Sequence, residues 1–444
     1  MECININRLF PLCSEEPLLS NAQIATLSRL LTHQGTRLRG MASATSSIPA
    51  GYTYLGQFIS HDIVPKTNPR ARGRTVSPAL NLDSVYGNLS SDELARYFDD
   101  EGCFKHNGQP FDVIRTHKKA LIPEARNDEN SIIVQLHRQL QLLHNRIVKR
   151  LTNVTDSVAK IVLAKDIVTT LFHIVVVNDF LRRLLDERVY NAYFKKTRQY
   201  ILALNAPLSS VPIEFSLAAF RFGHSLVRNN YTFSKEPTVN FTMDRILRRS
   251  TSAGLQENEQ IDWSLFFIET SQKANSIDMS IDVGLGDIPD EGNIVLINLN
   301  AANTLKLASG DATLSYIKQH FPQLALDVDL FRQAPLEIGE EAELYRAYQV
   351  LLANFSQKRL PLWLHVLHES RHSSNPFNAL GKLGSIINAE VVRSSILHCY
   401  ANRSLKENQS MMAFLQDAPP LQRFLEQTRE SIPLTMLELI HFLK

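Results

Sequence analysis

Apolar residues recur at helical spacing along most of this chain, and this periodicity limits the fold more than any other feature. Between Ile132 and Val148 they return every three to four residues, which places them on one face of a helix. A second run follows Thr155 and Asp156, which favour helix starts because their side chains accept hydrogen bonds from free backbone N–H groups. Further ranges with this pattern are 213–229, 340–355, 386–399 and 420–442. Strand-like alternation is rare, so the sequence predicts a mainly α protein.

Nothing in the sequence divides the chain into separate domains. Its 444 residues suffice for one large domain or for two to three ordinary ones. We see no internal repeat and no low-complexity linker, and the segment 65–78, with three prolines and several positive charges, predicts a loop. A single large helical domain over residues 1–444, with little β structure, is the simplest prediction.

The composition is that of an ordinary globular protein. Hydrophobic residues make up 44% and charged residues 21%, which supports a sizeable core and excludes bulk disorder. The formal charge of +2 is too small to argue for nucleic acid or an anionic membrane as a partner. The most apolar stretch, 161–185, contains Lys165, Asp166 and Asp179, so we interpret it as a buried helix and not as a transmembrane segment.

The cysteines and the N-terminus bear on the cellular compartment. Cys3, Cys13, Cys103 and Cys399 are scattered and form no CxxC pair, so we expect reduced thiols without a disulfide or metal role. The first residues lack the basic start and apolar run of a secretory signal. These features predict a cytoplasmic protein, with export by a route that needs no signal left open.

The first polar constellation is the segment 56–62, GQFISHD. On a helix, Gln57 and His61 share a face because they are four residues apart, whereas Asp62 points elsewhere. Two polar residues on one face and a carboxylate on another could serve two different sites. The alternative is a capped helix with a satisfied buried histidine.

The second constellation is the polar run 123–130, PEARNDEN, directly before the first helix described above. A run of this kind is typical of a helix N-terminus, with Asn127 or Asp128 as the cap. Arg126 would then be an ordinary surface residue.

A third pattern places Gly223 and His224 together inside the apolar range 213–229. Glycine inside a helix costs about 1 kcal/mol relative to alanine, which suggests that something bulky approaches the helix there. Close packing between two helices is the alternative explanation.

Two further patterns are compatible with metal binding but do not require it. Asn81 and Asp83 offer alternating oxygen ligands that suit a hard cation such as Ca²⁺, although a turn stabilised by their side chains is a second reading. His137 and His144 are seven residues apart on one helix face, which also fits two histidines at the edge of the core.

The segments GQFISHD, LNLDSVYG, RNDEN…LHNR and FRFGH, in this order, resemble the animal-type haem peroxidase (peroxidase–cyclooxygenase) superfamily and look most like its bacterial members. The resemblance covers about residues 50–300 and extends more loosely to about 400 through LPLWLHVLHE and LGKLGSIINAEVV. It implies one haem-peroxidase-like domain, with a motif core at about 50–300 and C-terminal helices at about 300–444 packed on it.

The resemblance implies roles for three residues on the distal side of a haem. His61 matches the distal histidine, which in its neutral form takes a proton from bound hydrogen peroxide and passes it to the leaving oxygen. Arg126 matches an arginine that stabilises negative charge as the O–O bond breaks. Gln57 matches a glutamine that hydrogen-bonds a ligand or water on the iron.

On the proximal side, the resemblance implies that His224 is the haem iron ligand, with Gly223 letting the chain approach the porphyrin. Asn298, in the stretch INLNAANTLKLASGD, matches the asparagine that hydrogen-bonds the other ring nitrogen of that histidine. Arg221 matches an arginine that meets a haem propionate. Ala301 stands where the family has a basic residue, so one propionate contact is expected to be missing.

The resemblance also implies a calcium site next to the distal histidine. Asp62 matches a calcium-ligating aspartate, and Asn81 and Asp83 fall on the cation loop, with Ser77 and the Ala79 carbonyl as further ligands. Calcium there would tie the distal helix to the loop. Asn81 stands where an aspartate is usual, which lowers the charge of the site and its expected affinity.

Haem b is the implied cofactor, with at most one covalent link. Some family members attach haem through esters to an aspartate and a glutamate. Ser60 occupies the aspartate position, so that ester cannot form, whereas Glu129 keeps the second carboxylate. A solvated glutamate at a helix start is the alternative for Glu129.

The sequence thus predicts a haem peroxidase that reduces hydrogen peroxide and oxidises an organic or halide donor, as in a response to oxidative stress. One alternative is a haem-dependent fatty-acid dioxygenase. Those enzymes place a tyrosine three residues before the proximal histidine, where this chain has Arg221, and Tyr231 lies seven residues after it. A haem-binding sensor with little turnover and a helical scaffold without haem are further alternatives.

Overall fold

A computed structural model describes most of the chain. The described residues are 7–14, 16–34, 46–65, 77–117, 119–195, 210–247, 254–288, 292–332, 360–400, 402–406 and 409–444. Helix accounts for 57% and strand for 6%, so the predicted mainly α class is confirmed. The helix predicted at 340–355 and residues 66–76 of the predicted loop lie outside the described residues.

The longer helices agree with the predicted periodicity in part. In chain order they are α1 (Asn21–Arg29), α2 (Gly51–Ile63), α3 (Ser91–Tyr97), α4 (Ser131–Arg150), α5 (Ser157–Val175), α6 (Ile294–Thr304), α7 (Gly310–His320), α8 (Pro322–Asp327), α9 (Leu362–Glu369), α10 (Lys382–His398), α11 (Met411–Gln416), α12 (Pro419–Thr428) and α13 (Met436–His441). The patterns at 132–148 and 386–399 correspond to α4 and α10.

The strands form two antiparallel hairpins. Their bounds are β1 (Arg115–Thr116) with β2 (Lys119–Ala120), and β3 (Asn230–Lys235) with β4 (Thr238–Thr242). In the second hairpin Tyr231 stands opposite Phe241, and Phe233 packs edge-on against Phe241 with ring centroids 4.8 Å apart. Alternate side chains of this hairpin are therefore buried, as expected for a ribbon with one packed face.

The chain folds into two compact units, and each is assembled from three separate stretches of sequence. Unit 1 comprises Met1–Thr53, Arg183–Asn229 and Lys273–Ser394, and unit 2 comprises Tyr54–Arg182, Asn230–Gln272 and Ser395–Lys444. Residues beyond 300 therefore contribute to both units. The single domain over residues 1–444 stays a prediction.

Helices α4 and α5 pack together in unit 2. Asp156 caps α5 as predicted, because its side chain accepts the backbone N–H of Ala159 at 2.7 Å. The helical stretch Ser157–Leu184, 28 residues long, could cross a membrane by length and composition alone, but 72% of its most apolar window is buried in the structure. This burial agrees with the interpretation of 161–185 as a core helix.

The predicted cap of α4 was wrong. Asn130 caps the helix, since its Oδ1 accepts the backbone N–H groups of Ile132 and Ile133. Asn127 and Asp128 belong instead to a separate 3₁₀ turn that precedes the helix. Because the backbones of Asn127 and Asp128 form this turn, the α-helix begins later, and the residue directly before it, Asn130, is the cap.

Helix α9 packs in unit 1 against a 3₁₀ helix at Ala219–Leu226. It also lies against the start of α7, where a Cβ built on Gly310 would come within 2.1 Å of Cγ of His365. Only glycine permits this approach, because real Cβ atoms need more than 3 Å from such an atom.

Two predicted helices are interrupted. The range 213–229 contains one α-helical turn, Ile213–Ser216, and the 3₁₀ helix, separated where Ala218 leaves helical geometry at φ −136° and ψ −73°. The range 420–442 is divided into α12 and α13, because Arg429 takes the left-handed conformation at φ 59° and Pro433 lacks a backbone N–H. Apolar periodicity alone did not reveal these breaks.

The prediction of reduced cysteines was wrong for Cys13, which is disulfide-bonded. Its partner lies outside the described residues. Cys103 and Cys399 are free thiols, as predicted. Disulfides are rare in cytosolic proteins, so the cytoplasmic location stays a prediction that this bond does not favour.

Candidate active site

Helix α2 carries the predicted distal pair on one face. His61 is 6% exposed, and Gln57, one turn earlier, is half-buried. Asn127 holds the His61 ring, since Nδ1 lies 2.9 Å from Oδ1 of Asn127. On the other side Nε2 lies 3.5 Å from Oε1 of Glu129, a contact that becomes an ion pair only when the ring is protonated. An amide oxygen can only accept, so the Asn127 contact assigns the ring proton to Nδ1. The Nε2 atom of the neutral ring then carries the lone pair that a general base needs.

Glu129 joins this group as a hydrogen-bond partner. Its Oε1 accepts a short hydrogen bond from Nε2 of Gln57, and its side chain is 40% exposed. Nδ2 of Asn130 donates to Oε1 of Gln57 at 3.4 Å. Both ends of the Gln57 amide are therefore held by the segment before α4. Glu129 is exposed, as the alternative reading expects, and it also bonds Gln57.

Asn127 is the site residue that the sequence predicted only as a helix cap. It is fully buried, and while its oxygen faces His61, its Nδ2 lies 3.1 Å from Nδ1 of His137. Burial, with a contribution from the charge of Arg138, lowers the pKa of His137 to about 3, so that ring is neutral. A row of His61, Asn127 and His137 thus runs from α2 into α4. The place of Asn127 beside Arg126 in the RNDEN motif was the sequence signal for it.

The histidines predicted at the edge of the core are both fully buried. The second, His144, lies 3.1 Å from the Tyr86 hydroxyl through Nδ1 and 2.9 Å from the Gly102 carbonyl oxygen through Nε2. Burial lowers its pKa to about 4. Because both of its nitrogens are used within the core, His144 has a structural place, and the edge prediction was wrong.

Arg126 lies at the end of α2 and is paired with a carboxylate. Its Nε and Nη2 each lie 3.0 Å from an oxygen of Glu124, and Nη2 also donates to the carbonyl oxygens of His61 and Val64, each at 2.9 Å. The side chain is 11% exposed, so the reading of Arg126 as a surface residue was wrong. Burial raises the pKa of Glu124, but the hydrogen bonds and charge of Arg126 outweigh it, and the net shift is downward.

A second ion pair fixes the RNDEN segment. The guanidinium of Arg115 bonds both oxygens of Asp128, at 2.7 and 2.8 Å, and both oxygens of Asp112, at 2.9 and 3.1 Å. Bidentate pairing of this kind has a fixed geometry and compensates for much of the cost of burying the charges. It anchors Asp128 directly beside Asn127.

The residues predicted to bind calcium do not fit a calcium site. Both oxygens of the buried Asp62 accept backbone N–H groups, and the Asp83 carboxylate is paired with the ammonium of Lys165. Asn81 accepts the backbone N–H of Asp83, which is the Asx turn of the alternative reading. No group of three or more His, Cys, Asp or Glu that could hold a metal occurs in the described part of the chain.

The proximal residues lie in and around the 3₁₀ helix of unit 1. His224 is partly exposed, and burial, together with the charge of Arg221, lowers its pKa to about 3, so the imidazole is neutral. A Cβ built on Gly223 would meet no atom of the described residues within 4 Å, so the helix–helix packing alternative was wrong and open space adjoins Gly223. A neutral imidazole in this position fits an axial haem ligand.

Asn298 holds the His224 ring as the resemblance implied. Its Nδ2 lies 3.1 Å from Nδ1 of His224, and its Oδ1 accepts a hydrogen bond of 2.7 Å from Arg221. An amide N–H only donates, so this orientation makes Nδ1 the acceptor and places the proton of the neutral ring on Nε2. An axial bond from Nε2 requires the proton to move to Nδ1 and the Asn298 amide to turn so that Oδ1 accepts it. The backbone of the 3₁₀ helix is fixed by two more side chains, because Trp363 donates to the Arg221 carbonyl at 3.2 Å and Asn388 to the Ala219 carbonyl at 3.0 Å. Neither was predicted.

Tyr231 belongs to the packing of unit 2. It is 1% exposed, lies parallel to Phe266 with ring centroids 6.1 Å apart, and packs edge-on against Tyr54 of α2. His224 and its partners belong to unit 1, whereas the His61 group belongs to unit 2.

A scan against protein families agrees with the motifs. It matches residues 60–287 to the family described as animal haem peroxidase. This match spans just over half of the chain, which therefore belongs to the animal haem peroxidase family. Membership implies haem binding. No match was found in a search of curated proteins.

Solved structures of similar fold include a peroxidase and dioxygenases. Peroxidase A from Dictyostelium discoideum aligns with a TM-score of 0.65 over 98% of this chain and 92% of that one, at 14% identity. Fatty acid alpha-dioxygenase from Oryza sativa with palmitic acid gives 0.60 over 90% and 75%, at 11% identity. The Arabidopsis thaliana fatty acid alpha-dioxygenase gives 0.58 over 90% and 72%, at 12% identity. Such low identity establishes a shared fold and not a shared activity.

Proposed function

We propose that this chain is a haem-dependent peroxidase that reduces hydrogen peroxide and oxidises a small organic or halide donor. The observation that carries the proposal is the His61 ring, whose Nδ1 is held by Asn127 at 2.9 Å so that Nε2 is basic. Peroxide cleavage needs a group that removes a proton from one oxygen and delivers it to the other. A neutral imidazole with a fixed ring plane is suited to both transfers.

The neighbours of His61 support the same chemistry. Gln57, held by Glu129 and Asn130, presents a fixed amide that can hydrogen-bond a bound peroxide or water. Arg126 supplies positive charge at the end of α2, reduced in net effect by its pairing with Glu124. We therefore expect Arg126 to act both on the position of His61 and on the developing charge, with the positioning role the larger.

His224 is proposed as the residue that binds the haem iron. Haem b, when bound, supplies the redox-active iron that the amino acids lack. Asn298 would keep the imidazole plane fixed through Nδ1, and Arg221 would meet a propionate while remaining next to Asn298. The absence of a basic residue at Ala301 predicts weaker propionate binding than the family pattern implies.

Covalent attachment, if it occurs, is expected at Glu129 alone. The carboxylate accepts a hydrogen bond from Gln57, and the side chain is 40% exposed, so it is accessible for an ester. Extraction with acidified ketone separates the two cases. Haem that leaves fully with the solvent excludes the ester, and haem retained by wild type but released by Glu129→Gln establishes it.

A fatty-acid dioxygenase is the second candidate, because two of the structural neighbours named above carry that activity in their names. Arg221, bonded to Asn298 and to the Ser216 carbonyl, occupies the position where those enzymes have a tyrosine, and Tyr231 packs elsewhere. This favours the peroxidase. Palmitic acid offered to the haem-loaded protein, with oxygen consumption as the readout, separates the two activities.

The central test uses His61→Ala and a matched control. Peroxide-dependent oxidation of a small phenol is measured in haem-loaded wild type, His61→Ala and His106→Ala, an exposed histidine of the same unit. We expect His61→Ala to lower the rate by ~10²-fold or more, the usual contribution of one acid–base group, and His106→Ala to match wild type. Equal rates in the two variants would remove His61 from the mechanism.

A further inference from the structure

We propose that the ammonium of Lys165 replaces a divalent cation in the loop next to the distal helix, so that this protein holds His61 in place without calcium. The proposal does not depend on the peroxidase activity, because it concerns how the segment Asn81–Tyr86 is tied to α2. It rests on Asp62, Asp83 and Lys165.

Asp62 forms the first connection between α2 and the loop. The residue is fully buried, and its two oxygens accept the backbone N–H groups of Leu82 and Ser84 at 3.0 and 2.9 Å. Leu82 takes the left-handed conformation at φ 58°, which turns these N–H groups toward one carboxylate. The loop is thus tied to α2 by hydrogen bonds within the chain.

Asp83 forms the second connection, and here the cation is part of the chain. Lys165 Nζ lies 3.0 Å from Asp83 Oδ1, with the two side chains 17% and 18% exposed. The same ammonium lies 5.5 Å from the centroid of the Tyr86 ring, which adds a cation–π attraction. Lys165 stands in the middle of α5, so the loop is fixed to a core helix.

Charge and geometry together disfavour calcium at this place. Calcium takes six to eight oxygens, with carboxylates as the strongest ligands. A second cation at Asp83 would lie within a few ångströms of the ammonium and be repelled by it, while Asn81 offers an amide that already accepts the Asp83 N–H at 3.2 Å. The lysine thus supplies the positive charge that a bound metal would supply.

Because Asp62 directly follows His61 in α2, the lysine contributes to the position of the distal histidine. We therefore expect that neither calcium nor a chelator changes the stability of this protein. This differs from what the family resemblance implies, and one residue, Lys165, accounts for the difference.

The experiment measures thermal unfolding and metal content of the full chain. Wild type is treated with EGTA, or with millimolar calcium followed by desalting. We expect the same Tm under both conditions and no stoichiometric calcium by elemental analysis. A Tm raised by calcium, or one retained calcium ion per chain, would overturn the proposal.

Lys165→Gln tests the lysine itself, with Lys160→Gln as the matched control on the same helix. Loss of the Asp83 partner is expected to lower Tm by roughly 2–4 °C or more, whereas the control stays near wild type. Equal melting of the two variants would also overturn the proposal. If Lys165→Gln does not fold, Lys165→Arg is expected to fold and to remain insensitive to EGTA; calcium-dependent melting in that variant would contradict the replacement.

Discussion

The segment before α4 and the 3₁₀ helix around His224 are built in opposite ways. In the first, Arg115 and Arg126 are paired with buried carboxylates, and Asn127 bonds Nδ1 of His61. In the second, Gly223 lies beside open space, and the polar contacts come mainly from Asn298 and Arg221. Contacts within the chain therefore fix the group proposed for proton transfer, whereas the group proposed to bind the iron leaves room for a cofactor.

The largest effect is expected for a substitution in the 3₁₀ helix around His224. His224→Ala should abolish the ferric haem spectrum of the reconstituted protein, because no other residue in this part of the structure is proposed to bind the iron. His320→Ala, an exposed histidine of unit 1, is the control and should load like wild type. Full haem loading of His224→Ala at wild-type affinity would contradict the axial assignment.

In the segment before α4, a smaller but more specific effect is expected when Asn127 is replaced. Asn127→Leu leaves the buried Nδ1–H of His61 without an acceptor and should slow peroxide reduction by roughly 10–100-fold. Asn127→Asp keeps an acceptor and adds negative charge, which favours the protonated ring. The acid limb of its rate–pH profile should therefore move to higher pH. A purely structural asparagine would lower Tm in both variants and leave the position of that limb unchanged.

The Arg126–Glu124 pair in the segment before α4 is expected to make the stability of the protein depend on pH in the acid range. The pKa of Glu124 is lowered below its ordinary value of 4.5, so its contribution to folding is present at neutral pH and is lost as the pH falls through the lowered value. Arg126→Ala leaves this carboxylate buried without its cation and should cost roughly 1–3 kcal/mol at neutral pH. In Glu124→Gln the free energy of unfolding should fall less steeply than in wild type as the pH is lowered. A dependence of this free energy on pH identical to that of wild type would show that the pair does not contribute.

The smallest effect is expected at Gly223. Because a Cβ there meets no atom of the described residues within 4 Å, Gly223→Ala should change the free energy of unfolding of the haem-free protein by less than about 1 kcal/mol. Gly310→Ala is the matched comparison, since its Cβ would overlap His365, and it should be much less stable. If Gly223→Ala weakens haem binding while its haem-free stability stays unchanged, the open space is cofactor space; equal destabilisation of the two variants would show that it is not.

The mainly α class, the helices α4, α5 and α10 and the family could be predicted from the sequence, because apolar periodicity and motif order are local properties of the chain. The motifs also predicted His61, Gln57, Glu129, His224 and Asn298 as site residues, and those roles stay predictions. Asn298 and His224 are 74 residues apart, yet the motifs alone brought them together in prediction.

The partners of the charged and polar groups could not be predicted from the sequence. Periodicity could not show the break at Ala218, nor that Asn127 bridges two histidines, nor that Lys165 lies on Asp83, 82 residues away along the chain. The disulfide at Cys13 likewise has no local signature. The physical reason is that hydrogen bonds and ion pairs are selected by burial, and burial depends on how distant segments pack.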